Sequence, residues 1–209
     1  MGNYKRYASV VLILVLCIGI AACSKTEDFD AEIYVKASLD AFYHGEYKEY
    51  ADCLGISEDE ARKQIEGNFE KSIAAQFEAS EGISKEGITA YTEKMCEVKG
   101  LAKYEVLEAV ETEDGNFTVK VQVEPSDVFQ TLEKSAGEVS NELIAQGKAE
   151  LDPDVFETVL CESVRRSIDS NTYGNPSAVE VKVTKDDSGA YILEEREMDR
   201  LEAAMFPGE

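Results

Sequence analysis

Apolar positions along this chain keep one of two periods, and the changes of period divide it into elements. Ala31, Val35, Leu39 and Phe42 recur at spacings of four, four and three, which predicts a helix from about Asp30 to His44, ended by Gly45. Glu46–Leu54 repeats the pattern over a shorter stretch, with Tyr47, Tyr50, Ala51 and Leu54 on one face and Gly55 as its stop. Ser57-Glu-Asp-Glu60 reads as a capping box, in which the serine hydroxyl accepts from the Glu60 N–H. The helix it opens carries Ala61, Ile65, Phe69, Ile73 and Phe77, and Gly82 is its expected end. Ser84–Val98 follows with Ile88, Tyr91, Met95 and Val98, and then Gly100.

At Leu101 the period falls to two. Leu101–Val110 reads as a strand with Tyr104, Val106 and Val110 on one side, and Thr112–Asn116 as a turn. Phe117–Glu124 alternates strictly, with Phe117, Val119, Val121 and Val123 facing in. Helical spacing returns from Pro125 through Val128/Phe129, Leu132, Ala136, Val139 and Leu143. Asp152-Pro153 starts a partner helix with Phe156, Val159/Leu160, Val164 and Ile168. A second hairpin comes next: Ala178–Thr184, a turn at Asp186–Gly189, and Ala190–Glu194. A last helix over Glu197–Phe206 carries Met198, Leu201 and Met205. The expected fold is α+β: a four-stranded antiparallel sheet of two hairpins covered by helices, with a helical pair inserted between the hairpins. Residues 30–209 are read as a single domain.

The first 22 residues do not fit that domain. Lys5 and Arg6 precede an uncharged apolar run, Val10–Ile20, of 11 residues. A bilayer-spanning helix needs about 20, so the run reads as the core of a secretory signal. It ends in Ile20-Ala21-Ala22-Cys23. This resembles the lipobox of bacterial lipoproteins, in which a diacylglyceryl group is added to the cysteine thiol and a signal peptidase cuts just before it. The resemblance implies lipidation at Cys23 and cleavage between Ala22 and Cys23. Residues 23–29 then form a polar tether, and the protein stands at the outer face of the cell membrane. Two acyl chains suffice for stable anchoring. An ordinary secretory signal with Cys23 as a bystander is the other reading.

Charge narrows the range of partners. The 209 residues hold 43 acids against 21 bases, a net charge of −22 that becomes −24 once residues 1–22 are removed. Nucleic-acid binding needs a basic footprint, and an anionic lipid surface would repel the domain. The membrane is therefore reached through the lipid on Cys23. A hydrophobic content of 44% is that of a globular chain.

Candidate chemistry is sparse. Cys53, Cys96 and Cys161 lack metal-ligand spacing and read as small buried hydrophobes, with one disulfide plus a free thiol as the alternative. His44 is the single histidine and reads as a helix-end residue. There is no phosphate loop, dinucleotide fingerprint or nucleophile elbow, so no cofactor is expected. Asp169, Asn171 and Glu180 fit positions 1, 3 and 12 of a calcium loop with Gly174 at 6, but Tyr173 and Pro176 interrupt it. A helix-to-strand turn explains the segment equally. Tyr34, Tyr43, Tyr47 and Tyr50 either stack on a sugar or peptide or belong to the core and its rim.

Val119–Pro125, Tyr173-Gly174, Val179–Val183, Tyr191–Glu195 and Leu201–Phe206, taken with the lipobox, are similar to a group of surface lipoproteins of unknown function from clostridia-type bacteria. Helices against a curved antiparallel sheet also resemble cystatin-like folds, including the nuclear-transport-factor-like group. The resemblance implies address and fold and brings no activity. Two functions are carried forward: a lipid-anchored module that binds a small molecule, an envelope component or a protein, and a surface hydrolase using a carboxylate pair in a sheet pocket.

Overall fold

The computed structural model describes residues 29–78, 83–148 and 153–208. The signal segment, Ala22, Cys23 and most of the tether lie outside the described residues, as do Gly82 and Asp152. Helix α1 (Ala31–Leu39) continues into a π-helical turn (Asp40–His44), and α2 (Tyr47–Leu54), α3 (Glu58–Phe77) and α4 (Lys85–Lys99) follow. Strands β1 (Tyr104–Glu111) and β2 (Phe117–Val123) make the first hairpin. After α5 (Leu132–Ala145) and α6 (Pro153–Asp169), β3 (Ser177–Lys185) and β4 (Tyr191–Leu193) make the second, and α7 (Glu195–Met205) closes the order.

Short polar side chains start the helices where the sequence places them. Asp30 accepts from the Ile33 N–H at 3.0 Å, Ser57 from Glu60 at 3.2 Å and Ser84 from Gly87 at 2.9 Å. Each satisfies an amide that would otherwise lack an intrahelical partner.

The four strands form one antiparallel sheet in the order β1-β2-β3-β4. Two hairpins and a helical pair between them are thus the observed topology. Val119 stands opposite Val181 and Val121 opposite Val179, and the inner valines of β2 are fully buried. Each such side chain contributes about 1.5–3 kcal/mol by leaving water. Helices α1 and α7 pack on that inner face, and α2, α3 and α4 continue the main core behind them. Between α5 and α6 lies a smaller cluster of Ala136, Val139, Val155 and Val159.

Three local expectations are corrected. Leu101 and Ala102 do not start β1; their N–H groups bond back to Val98 and Lys99 at the end of α4. Within β1, Val106 faces Val121 but Glu108 faces Lys120, so Leu107 is an extra residue. This bulge reverses the side-chain phase, and Val110 points outward with 57% of its surface exposed while Ala109 faces in. The helix read from Pro125 begins only at Leu132. Residues 125–131 are held extended and turned instead, because Ser126 bridges to Tyr173 and its N–H bonds to the Met205 carbonyl at 2.7 Å.

The free edge of β1 is partly closed by a side chain. Glu32 on α1 accepts the outward Ala109 N–H at 2.9 Å.

Candidate functional site

The π-helical turn is the centre of the site. Its wider winding is closed by Gly45, whose N–H returns to the Asp40 carbonyl and whose φ of 70° is a left-handed value natural to glycine. Such turns inside helices often mark functional positions. Here four side chains of one turn are each fixed by a neighbour, Asp40 and His44 both by Tyr104. Asp40 accepts from the Tyr104 hydroxyl at 2.7 Å and from the Lys36 ammonium. The Phe42 ring lies 3.8 Å from the Lys99 Nζ. Tyr43 packs against Phe206, and His44 stacks on Tyr104 with centroids 5.4 Å apart.

An open cleft lies on the His44 side. It has a volume of about 480 Å³ and is lined by His44, Lys103, Tyr104, Glu105, Gln122 and Glu124. The stacked His44–Tyr104 pair forms an aromatic wall. Lys103 lies 3.5 Å from the centre of the Tyr173 ring and 3.7 Å from the Glu124 carboxylate. Tyr173 is fixed in turn by donating to the Leu101 carbonyl at 2.9 Å. A flat face, an ammonium and two carboxylates suit a small polar ligand or a peptide segment that carries charge.

On the other side of the turn is a buried ionisable group. Lys99 is only 7% exposed, with its Nζ between the rings of Phe42 and Phe69, the second at 4.3 Å. Burial lowers its pKa to about 8, opposed by nearby Cys96, Glu202 and Glu66. Glu202 on α7 has its Oε2 enclosed without a hydrogen-bond partner. Burial, helped by Asp199 and opposed by Lys99, raises the Glu202 pKa to about 8. Burial raises Asp199 as well, and raises Tyr43 well above its ordinary value, with Glu202 adding to the effect. The Tyr43 hydroxyl is also enclosed without a partner. A lysine and a glutamate here share a poorly solvated space, where burial disfavours each charge and the opposite charge partly offsets it.

Both residues lie on apolar stripes. Lys99 is four positions after Met95, and Glu202 four after Met198. That register is the signal by which sequence reading could have found them. A second buried acid, Glu197, accepts the Lys182 N–H of β3 at 3.2 Å and pairs with Arg200 at 2.8 Å, docking α7 on the sheet.

The other candidates take ordinary places. Tyr34, Tyr43, Tyr47 and Tyr50 are all buried, so none offers a stacking face to a ligand. Cys53 and Cys161 are half-buried, Cys96 is exposed, and none of the three is in a disulfide. Cys96 departs from the buried expectation because Met95 and Lys99 occupy the inward positions of that turn. Asp169 pairs with Arg165, the Asn171 Oδ1 accepts from Ser126 at 2.6 Å, and Glu180 stands opposite Lys120 on β3. The structure therefore gives these three residues separate partners. Among the described residues no group of three or more His, Cys, Asp or Glu is arranged to hold a metal.

Neither a family model nor a curated protein matches the sequence. The fold is similar to the crystal structure of a Bacillus subtilis protein, ycdA, described as a candidate lipoprotein. The TM-score is 0.61 at 14% identity, over 83% of this chain and 55% of that one. The chain thus spans about half the length of the structure it matches, and the likeness is one of fold. Among the described residues no helix is long and apolar enough to cross a membrane.

Proposed function

We propose that this chain is a lipid-anchored extracytoplasmic lipoprotein whose domain binds a small polar ligand or peptide in the cleft beside His44 and Tyr104. The observation that carries the reading is the lipobox Ile20-Ala-Ala-Cys23 ahead of the folded domain. The likeness in fold to a protein described as a candidate lipoprotein supports it. The open cleft, with its stacked aromatic wall, supports the binding role.

The address is tested by following Cys23→Ala in the producing cell. The variant leaves the membrane fraction, or accumulates uncut, and no longer incorporates labelled fatty acid. Continued fractionation with membranes at mature size overturns the reading. The binding role is tested by mass spectrometry of molecules that co-purify with the detergent-extracted chain. A ligand retained by the wild type is lost from His44→Ala.

A second reading is surface hydrolysis. Asp199 and Glu202, one helical turn apart on α7 and both with raised pKa values, are the carboxylate pair it would use, and it requires that the enclosed Glu202 Oε2 open to substrate. It predicts a processed product in the same preparation, absent from Glu202→Gln.

A further inference from the structure

We infer that the lipid on Cys23 holds the domain with the hairpin-turn end of its sheet toward the bilayer and the cleft at the far end. This rests on the lipoprotein reading above.

Phe29 is the point of attachment. It lies six residues beyond Cys23, a chain length of at most about 21 Å. Its ring stacks on Tyr191 with centroids 3.9 Å apart and planes 14° from parallel. It also meets Phe117 at 5.6 Å and Tyr34 at 5.5 Å. Phe117 opens β2 directly after the turn at residues 112–116, and Tyr191 opens β4 one residue beyond the turn at 186–189. The two turns are tied to each other: the Tyr191 hydroxyl donates to the Gly115 carbonyl at 3.1 Å, and the Lys185 N–H to Asn116 Oδ1 at 3.0 Å. The tether is therefore fixed to a rigid end of the sheet, because aromatic packing of this kind buries a large area on both partners.

Glu105, Gln122 and Glu124 of the cleft sit at the other end, where Tyr104 pairs with Val123. From Phe117 to Val123 the strand advances about 20 Å. A short tether pinned at one end keeps that end near the lipid and leaves the other facing outward. The pinned end carries Glu113, Asp114, Asp186 and Asp187 in its turns. Anionic headgroups repel these acids, so the end faces the bilayer through its tether and does not lie on it.

The test uses the full lipidated chain in phosphatidylcholine vesicles containing a headgroup-linked quencher. Cys53, Cys96 and Cys161 are replaced by serine, and a fluorophore is attached at Asp187→Cys or at Glu105→Cys. The label at 187 is quenched about twofold or more above the label at 105, since the two stand roughly 20 Å apart along the sheet. Equal quenching, or stronger quenching at 105, overturns the orientation while flotation with vesicles still upholds the anchor. Loss of flotation overturns both. Adding Phe29→Ala brings the two labels toward equality without loss of flotation; a ratio unchanged by it overturns the pinning by Phe29.

Discussion

The Tyr104 hydroxyl donates to Asp40 at 2.7 Å and so ties the first residue of β1 to the start of the π-helical turn. Both partners are poorly solvated, and burial together with the Asp40 carboxylate pushes the Tyr104 phenol far above its ordinary pKa. The phenol therefore stays a donor at every physiological pH. Because His44 rests on the same ring, this bond also sets the position of the aromatic wall of the cleft.

Tyr104→Phe keeps the ring and removes the donor. Asp40 retains Lys36, so the loss is that of one hydrogen bond to a charged group, about 1.5–3 kcal/mol. Urea unfolding followed by circular dichroism reads it as a lower midpoint with an unchanged slope. A midpoint within error of wild type would show that the bond contributes nothing net.

Glu202 gives the protein an unusual pH dependence. Its folded pKa near 8 stands above the ordinary 4.5, so the folded state keeps a proton that the unfolded chain releases between those values. The stability it contributes is full below pH 4.5 and is lost as pH rises through 8. Lys99 acts in the next window. With its pKa lowered from 10.5 to about 8, the unfolded chain binds more protons there, and stability recovers as pH rises between those values. Denaturant midpoints measured from about pH 5 to pH 8 should fall in wild type. Glu202→Gln should remove a slope worth on the order of 2–4 kcal/mol across that window. Parallel curves for the two proteins would place the Glu202 proton elsewhere.

Glu157 reaches across from α6 to the start of α4, where its Oε1 accepts the Ser84 N–H at 2.6 Å. Its carboxyl carbon stands 2.5 Å from where a Cβ on Gly87 would lie. Gly87→Ala alone must displace that carboxylate, which offsets the gain of about 0.5–1 kcal/mol that alanine brings to a helix. In a Glu157→Ala background the same change should become stabilising by roughly that amount. Thermal unfolding of the four proteins of the cycle measures the coupling, and additive effects would contradict it.

The bulge at Leu107 predicts a contrast between two valines. Val110→Lys adds a charge to an exposed site and should change stability by less than about 0.5 kcal/mol. Val106→Lys places an ammonium against the half-buried inner face and should cost about 2 kcal/mol or more. Equal costs would mean that β1 keeps a single phase along its length.

Much of this architecture was legible because local signals and long-range packing agree. Ser57 caps α3 where its capping-box spacing places it, and strict alternation from Phe117 to Val123 matches a strand buried on one face. Departures occur where a distant group decides. Residues 125–131 carry helical spacing, but the Met205 carbonyl and the bridge to Tyr173 claim the Ser126 backbone. The extra residue at Leu107 depends on what β2 offers opposite it. Within the site, His44 was visible as the single histidine, while its stacking on Tyr104 depends on a π-helical turn that apolar spacing does not distinguish from an α-helical one. Lys99 and Glu202 escape an apolar-pattern reading because their charge outweighs their register, although each stands four residues beyond a buried methionine.

The bulge and the Glu32 contact on β1 bear on crowding. A protein confined to a plane as proposed meets its own copies far more often than one free in solution, and in similar orientations. Exposed strand edges would then zip together from molecule to molecule. β1 is interrupted at Leu107, has its Ala109 amide already occupied by Glu32, and carries Glu105, Glu108 and Glu111 along its length. Two such β1 edges repel each other and cannot align into a continuous ladder.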